Sequence, residues 1–370
     1  HYPLRRQRQM CIRDRVMPIQ IRDWSLSLPP GDDPTTVIEA LIARERPALH
    51  PTLKNTDGFA RRIAWIDGVS TEDFIDSGRD APLPLDVQRA LLLATQALEP
   101  LLMRHFERER VDTDERLNPL PIHFLLPSRW PIETQTTARQ WLLSALGRFS
   151  EAGLTCPVSV HAAADTRGVM SFLEQLRAVE AAGPEFRLQV VLASDSFIQD
   201  DALWQTLPEV SGEGACALLL AQGVSAATEP VAATIHPFSS VQRTQSADLP
   251  GKVRAASLQQ LLGQYSTAPS PISAVIADAD HQTSRQTELL VALHATLPEL
   301  DPIHECLSLP LCCGEMGAVT ALASLALAAS NSLETQQDTL LVSVQDPLWR
   351  AVCRIQPSPL PAQAPLQDLA

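Results

Sequence analysis

From residue 17 onward, short apolar runs alternate with longer stretches in which apolar residues recur every three or four positions. The first pattern fits strands and the second fits helices laid against a core. Residues 19–21 open as a short β-rich run, and 34–46 pattern as a helix with Asp33 placed to cap it and Pro34 at its first position. Helical spacing returns over 85–106, 133–149 and 166–182. Between these lie strand-like runs at 123–127, bounded by prolines, and at 158–161, 188–193 and 215–221. A second series follows: strand 231–241, helix 255–262, strand 274–277, helix 283–297, strand 305–309, an Ala/Leu-rich helix over 317–329, and paired strands at 339–344 and 351–355.

Alternating strands and helices predict an α/β protein whose mixed sheets are covered by helices. Two successive series predict two halves, 17–225 and 226–356, with a Pro/Ser connector at 266–271 inside the second. Residues 357–370 are proline-rich and carry few large apolar groups, so a disordered tail is expected there. The opening string carries Arg5, Arg6, Arg8, Arg13 and Arg15 without apolar periodicity. It has no serine and no apolar stretch behind the arginines, which fits neither a mitochondrial presequence nor a secretion signal. It resembles translated sequencing-adapter sequence, so residues 1–16 are expected to be foreign to the fold, with Met17 as the start.

Composition narrows the class. Hydrophobic residues make up 45% and aromatics 5%, which suits an aliphatic α/β core. The net charge of −14 argues against a nucleic-acid surface, because phosphate binding needs clustered Lys and Arg. No apolar run approaches the roughly 18 residues that a spanning helix needs, so no membrane partner is expected. The 7 cysteines sit mostly in apolar runs, as reduced thiols of a cytoplasmic protein would. Cys312-Cys313 lacks a second pair or a histidine at ligand spacing, so no metal site is expected, and no motif calls for a cofactor.

A set of segments, taken in order, carries a sharper signal. Residues 158–182 read as a strand, a sharp turn at Ala162-Ala163-Ala164-Asp165-Thr166, and a helix. Residues 211–220 begin a strand with Ser-Gly-Glu-Gly-Ala. Residues 275–281, Val-Ile-Ala-Asp-Ala-Asp-His, end a strand in a polar loop, with Glu288 downstream. Residues 313–321, Cys-Gly-Glu-Met-Gly-Ala-Val-Thr-Ala, set a glycine turn before a helix. Together these resemble the β-ketoacyl synthases (3-oxoacyl-ACP synthases), over most of 17–356. In that family the first segment carries the nucleophilic cysteine, the third carries the first catalytic histidine, and the fourth follows the second. The last strand pair, broken at 345–349, also fits the family's closing hairpin. The resemblance implies a thiolase-like fold, with two related halves in an α-β-α-β-α layered sandwich. It also implies a homodimer, or a heterodimer with a related subunit, formed through a strand of the first half.

A ketosynthase needs a thiolate at a helix N-terminus, where backbone N–H groups and the helix dipole lower its pKa. It also needs two histidines to stabilise the thioester oxyanion and assist decarboxylation. Ala163, Ala164 and Asp165 stand at the nucleophile elbow, and alanine cannot form an acyl-enzyme. Cys156 precedes the strand. The second histidine should lie about three residues before Gly314, where Pro310, Leu311 and Cys312 stand. His281 fits the first histidine, with Asp278 or Asp280 as alternatives. The expected protein is therefore non-catalytic and acts through a protein partner. It resembles degenerate synthase-like proteins of type VI secretion gene clusters, and chain-length-factor subunits that shape the acyl cavity of an active copy. An acyl carrier protein or a secretion-system protein is the expected partner class. An acyltransferase with displaced catalytic residues and an acyl-binding module are the alternatives.

Each candidate also has a plainer reading. Asp280, His281, Arg285 and Glu288 could line the old cavity, but Arg285 and Glu288 are spaced for an ordinary i,i+3 surface pair. Asp165 or Thr166 is suited to cap the helix that follows. Cys312 and Cys313 could supply a relocated nucleophile, although buried thiols in apolar surroundings are usually inert. Gly314 and Gly317 are not followed by Gly-Lys-Ser/Thr, so close helix packing explains them better than phosphate binding. Glu213 reads as a structural carboxylate, His161 as a core histidine, and Trp204 and Trp349 as packing residues.

Overall fold

The apolar runs become strands that share a single sheet. The computed structural model describes residues 18–54, 58–72, 74, 83–112, 117–179, 186–198, 210–223, 232–247, 255–266 and 270–358. The extension 1–16, Met17, Trp204, the boundary at 225–226 and residues 359–370 of the expected tail lie outside the described residues, as does part of the 266–271 connector. In chain order the elements are β1 (Ile19–Ser27), α1 (Pro34–Ile42), β2 (Leu49–Lys54), β3 (Ala60–Ala64), α2 (Leu85–Asp112), β4 (Ile122–Leu126), α3 (Ile132–Ala145), α4 (Gly147–Glu151), β5 (Val158–Ala162), α5 (Thr166–Val179), β6 (Arg187–Ser196) and β7 (Ser211–Gln222). There follow β8 (Ala233–Ile235), β9 (Ser239–Gln242), α6 (Ala256–Leu262), β10 (Ile272–Ala277), α7 (Thr283–Thr296), β11 (Cys306–Ser308), α8 (Leu309–Cys313), α9 (Ala318–Thr335), β12 (Asp338–Ser343) and β13 (Trp349–Pro357).

The strand order is β11-β10-β12-β13-β8-β1-β7-β6-β4-β5. One wing runs β5-β4-β6-β7-β1 and the other runs β11-β10-β12-β13-β8. In each wing the first two pairings are parallel and the next two antiparallel. The wings join through the antiparallel pair β1–β8. This repeated pairing is the internal symmetry of two related halves.

Three apolar clusters define the layers. The Ala/Leu-rich α9 touches β10, β12 and β13 of one wing and β1, β6 and β7 of the other, so it lies between them with α5. Its Val319, Leu322, Leu325 and Leu327 are buried together with Val169 and Leu173 of α5. On the outer face of the first wing, Leu91, Ala94, Leu98 and Leu101 of α2 and Leu142 of α3 cover Phe124, Val190, Leu192 and Leu219. On the outer face of the second, Leu258 and Leu262 of α6 and Leu289 and Leu293 of α7 cover Val275, Ala277, Leu340 and Val342. The result is the α-β-α-β-α sandwich.

Several local signals act as expected. The Asp33 carboxylate accepts from Thr36 N at 3.3 Å and caps α1. Others are overridden. The strand expected at 19–21 continues to Ser27, because a register shift between Ile21 and Asp23 hides its alternation. The run 231–241 splits into β8 and β9 around Pro237, which has no N–H for a ladder. The strand expected at 305–309 stops at Ser308, and Leu309-Pro310 opens the short helix α8. The hairpin β2–β3 has no sequence signal. It is held because β3 adds in parallel to β7 through Ile63↔Ser211 and Ala64↔Gly212. Among the described residues no helix is long and apolar enough to cross a membrane.

Candidate functional site

The sharp turn between β5 and α5 presents Ala163 and Ala164 at a helix N-terminus. Ala163 is buried and Ala164 is exposed. Asp165 Oδ1 accepts from Gly168 N at 2.8 Å, so its carboxylate is engaged in capping α5, as the plainer reading expects. Thr166 is buried and its side chain hydrogen-bonds Asp278, which sits just past the end of β10. That carboxylate also accepts from Ser343 Oγ at 2.6 Å, Val344 N at 2.7 Å and Gln345 N at 3.1 Å. Asp278 thus ties the elbow helix to the loop between β12 and β13. Asp280 accepts from Gln282 N at 2.9 Å and Gln345 Nε2 at 3.0 Å. His281 lies half-buried beside it.

The glycine turn closes the site from the other side. Gly317 has φ +57°, and a Cβ there would sit 3.0 Å from Ala164 O and 3.0 Å from Asp195 Oδ2. Asp195, near the end of β6, pairs with Arg129, whose Nη1 donates to Oδ2 at 2.8 Å and whose Nη2 also reaches Oδ1. Arg129 also stacks 4.1 Å over the ring centre of Phe197. Burial pushes the Asp195 carboxyl up to about 6 despite Arg129. Glu315 accepts from Gly317 N at 2.9 Å. Its carboxyl is raised to about 8, chiefly by burial and with smaller contributions from the negative charges of Asp278, Asp280 and Asp195, while the Gly317 bond acts in the opposite direction.

The strand beginning Ser-Gly-Glu-Gly-Ala explains how the turn is held. Gly212 N donates to Glu315 O at 3.0 Å, and Glu315 N donates to Val210 O at 3.0 Å. A Cβ on Gly212 would lie 1.9 Å from Cys313 O, so only glycine lets β7 approach. Glu213 is fully buried and takes Arg89 Nε at 2.8 Å, Ile66 N at 2.8 Å and Ser196 Oγ at 2.9 Å, the structural role expected of it.

The elbow, the end of β10 and the 314–317 turn therefore come together, while other candidates lie elsewhere. Leu311 is half-buried on α8. Cys312 lines a surface groove of about 210 Å³ with Pro29, Pro47 and Trp65, which no elbow residue borders. Cys313 is fully buried, and burial drives its thiol well up from the ordinary range. The Cys313 hydrogen bond lowers the Cys312 thiol. Glu288 corrects the surface-pair reading: it is 2% exposed and binds Arg350 Nη2 at 2.8 Å and Arg243 Nη1 at 2.5 Å. Its helix neighbour Arg285, also buried, donates through Nε to Gln345 O at 3.3 Å.

Sequence reasoning assigned no role to Arg129, Asp195 or Glu315. The usable signal was polar residues placed where an apolar strand ends and between two glycines.

The raised Glu315 carboxyl has a sign that can be measured. Between its ordinary value of 4.5 and about 8, the folded protein holds a proton that the unfolded chain has lost. Stability is then full below the lower value and falls as pH rises toward the upper one. Asp195, raised from 3.8 to about 6, adds in the same direction. Glu315→Gln keeps an acceptor for Gly317 N and removes the titration. Its unfolding free energy should fall less between pH 5 and pH 8 than that of the wild type, by on the order of a few kcal/mol. An equal fall in unfolding free energy from pH 5 to pH 8 for the two proteins, measured by urea titration, would show that Glu315 is ionised in the fold.

No family model matches the sequence, and no curated protein matches it. Solved structures match over most of the chain. The ishigamide ketosynthase/chain length factor superposes with a TM-score of 0.63 at 15% identity, covering 92% of this chain and 100% of its own. A ketosynthase from module 6 of the bacillaene synthase of Bacillus subtilis gives 0.61 at 13% identity, covering 93% of this chain and 72% of its own. A type II polyketide synthase acyl-carrier protein in complex with its ketosynthase gives 0.59 at 12%, covering 92% and 100%. The fold is the thiolase fold that these matched structures share. At these identities the likeness establishes the fold.

Proposed function

We propose that this chain is a non-catalytic ketosynthase-like protein that acts through a protein partner. The observation that carries the reading is the elbow itself: Ala163 and Ala164 occupy the N-terminus of α5, facing the turn at Gly317. Among the described residues, no neighbouring group replaces the missing thiolate. Asp165 caps the helix, Asp195 is paired with Arg129, and Glu315 accepts from Gly317 N with its carboxyl raised to about 8, chiefly by burial. A decarboxylating ketosynthase substrate would also bring its own carboxylate towards Asp195, Asp278 and Asp280, which disfavours it electrostatically.

The partner surface in this reading is the edge of the first wing. β5 pairs with β4 alone among the described strands, which leaves its outer edge available for strand addition. A second copy of this chain or a related synthase subunit would fit that edge. The matched ketosynthase/chain length factor is a precedent for a paired assembly, and the matched carrier protein–ketosynthase complex for a carrier partner. Chain-length-factor-like shaping of an active copy's cavity and a structural role in a type VI secretion assembly are the two forms this function takes.

Two readouts on one preparation test it. Incubation with acyl- and malonyl-thioesters should release no thiol or carbon dioxide above background, and sedimentation velocity should show a dimer. Turnover comparable to an active ketosynthase control would overturn the non-catalytic reading. A monomer would exclude self-pairing through β5 and move the proposal to a related subunit.

A further inference from the structure

A row of polar side chains crosses the first wing from β5 through β4 and β6 to β7. On β5 and β4, Ser159 Oγ lies 2.9 Å from His123 Nδ1 and 3.1 Å from His161 Nε2, and the two imidazoles approach at 3.1 Å. His123 Nε2 meets Gln189 Oε1 of β6 at 3.0 Å, and Gln189 Nε2 donates to Gln222 Oε1 of β7. The ring of Phe172 on α5 covers both histidines, with centroids 5.4 Å and 4.7 Å away. The network ends abruptly. Gln222 is 2% exposed, and its Nε2 is buried without a hydrogen-bond partner. Buried donors are almost always satisfied, so an orphan at the end of an ordered chain points to a missing acceptor.

Gln222 and Gln189 line a groove of about 780 Å³ whose apolar wall includes Leu120, Leu176, Phe186 and Leu188. That volume lies within the usual range for small-molecule sites, and an apolar wall with few directed polar groups is their usual make-up. Among the described lining residues the charges offset: Glu109 and Arg187 both border it. His105, on the same wall, is held neutral because burial lowers its pKa to about 4. A groove without net charge does not select an ion.

We propose that this groove is a binding site for an uncharged aliphatic molecule with a carbonyl acceptor, its chain against Leu176, Phe186 and Leu188 and its carbonyl oxygen accepting from Gln222 Nε2. The site is independent of the elbow and of the non-catalytic reading. Isothermal titration of the full chain with octanamide should give saturable one-to-one binding. Gln222→Leu should weaken it roughly five- to tenfold, the worth of one net hydrogen bond. Leu176→Trp, on a half-buried position, should intrude on the space of the aliphatic chain and weaken binding further. Octanoate should bind more weakly than octanamide. Circular dichroism on both variants separates loss of the site from loss of the fold. The proposal is overturned if octanamide gives no saturable heat with the wild type, which would leave the groove to water, or if a folded Gln222→Leu binds octanamide unchanged. Tighter binding of octanoate would overturn the assignment to an uncharged ligand.

Discussion

Glu288→Ala should destabilise the protein by about 3–5 kcal/mol, the cost of breaking a buried ion pair from one side. Glu288 is the shared anion of two arginines, Arg350 at 0% side-chain exposure and Arg243 at 8%. Arg350 Nε and Nη2 both donate to it, at 2.9 Å and 2.8 Å. The cluster joins α7 to β13 and to the segment after β9, elements far apart in sequence. Removing the carboxylate leaves two guanidinium groups with no water to take its place. The triple replacement Glu288→Leu, Arg350→Met and Arg243→Met should recover much of the loss, because well-packed apolar groups replace buried ionic clusters at little cost. Urea denaturation of the three proteins reads this directly. A loss below about 1 kcal/mol for Glu288→Ala would mean that the arginines are solvated or paired by other groups.

Gly212→Ala should be at least as damaging, costing about 3 kcal/mol or more and leaving little folded protein. The added methyl would lie 1.9 Å from Cys313 O, a backbone atom that cannot rotate away, and 3.3 Å from Met316 Cγ. β7 cannot retreat, because every residue along it is buried. The damage would centre on the 313–317 turn that closes over the elbow. Gly147→Ala is the matched control: nothing lies within 4 Å of its new methyl, and it begins the short helix α4. That variant should be neutral or up to about 1 kcal/mol more stable. Thermal midpoints of the two variants side by side would test the contrast. A wild-type midpoint for Gly212→Ala would mean that β7 and the turn are further apart than described.

Much of this architecture was legible in the sequence, for identifiable reasons. Within the strands expected at 188–193 and 215–221, residues 190–193 and 215–221 are continuous apolar stretches because β6 and β7 are covered on both faces there, and such runs announce themselves. The elbow was legible because strand, small-residue turn and helix follow one another locally. The hairpin β2–β3 was not, because its residues are largely polar and its order comes from pairing with β7, far along the chain. The site was half legible. The absence of a thiol at 163–165 can be read from the letters alone. The convergence of Asp195, Asp278, Asp280 and Glu315 cannot, because each carboxylate comes from a different element and only the layered packing brings them together. The same holds for Glu288. Its spacing to Arg285 suggested a local pair, while its partners Arg243 and Arg350 lie 45 and 62 residues away. Local spacing cannot rank such contacts against long-range ones.

The central claim is that no residue of this chain forms an acyl-enzyme. The full chain would be incubated with radiolabelled acyl-thioester donors beside an active ketosynthase, and covalent label per protein quantified and mapped by peptide mass. The account predicts label at background on this chain and near one acyl group per chain on the control. Stoichiometric label on this chain would contradict it, and the labelled peptide, whether it carries Cys312, Cys313 or another group, would identify the nucleophile that had replaced the elbow cysteine.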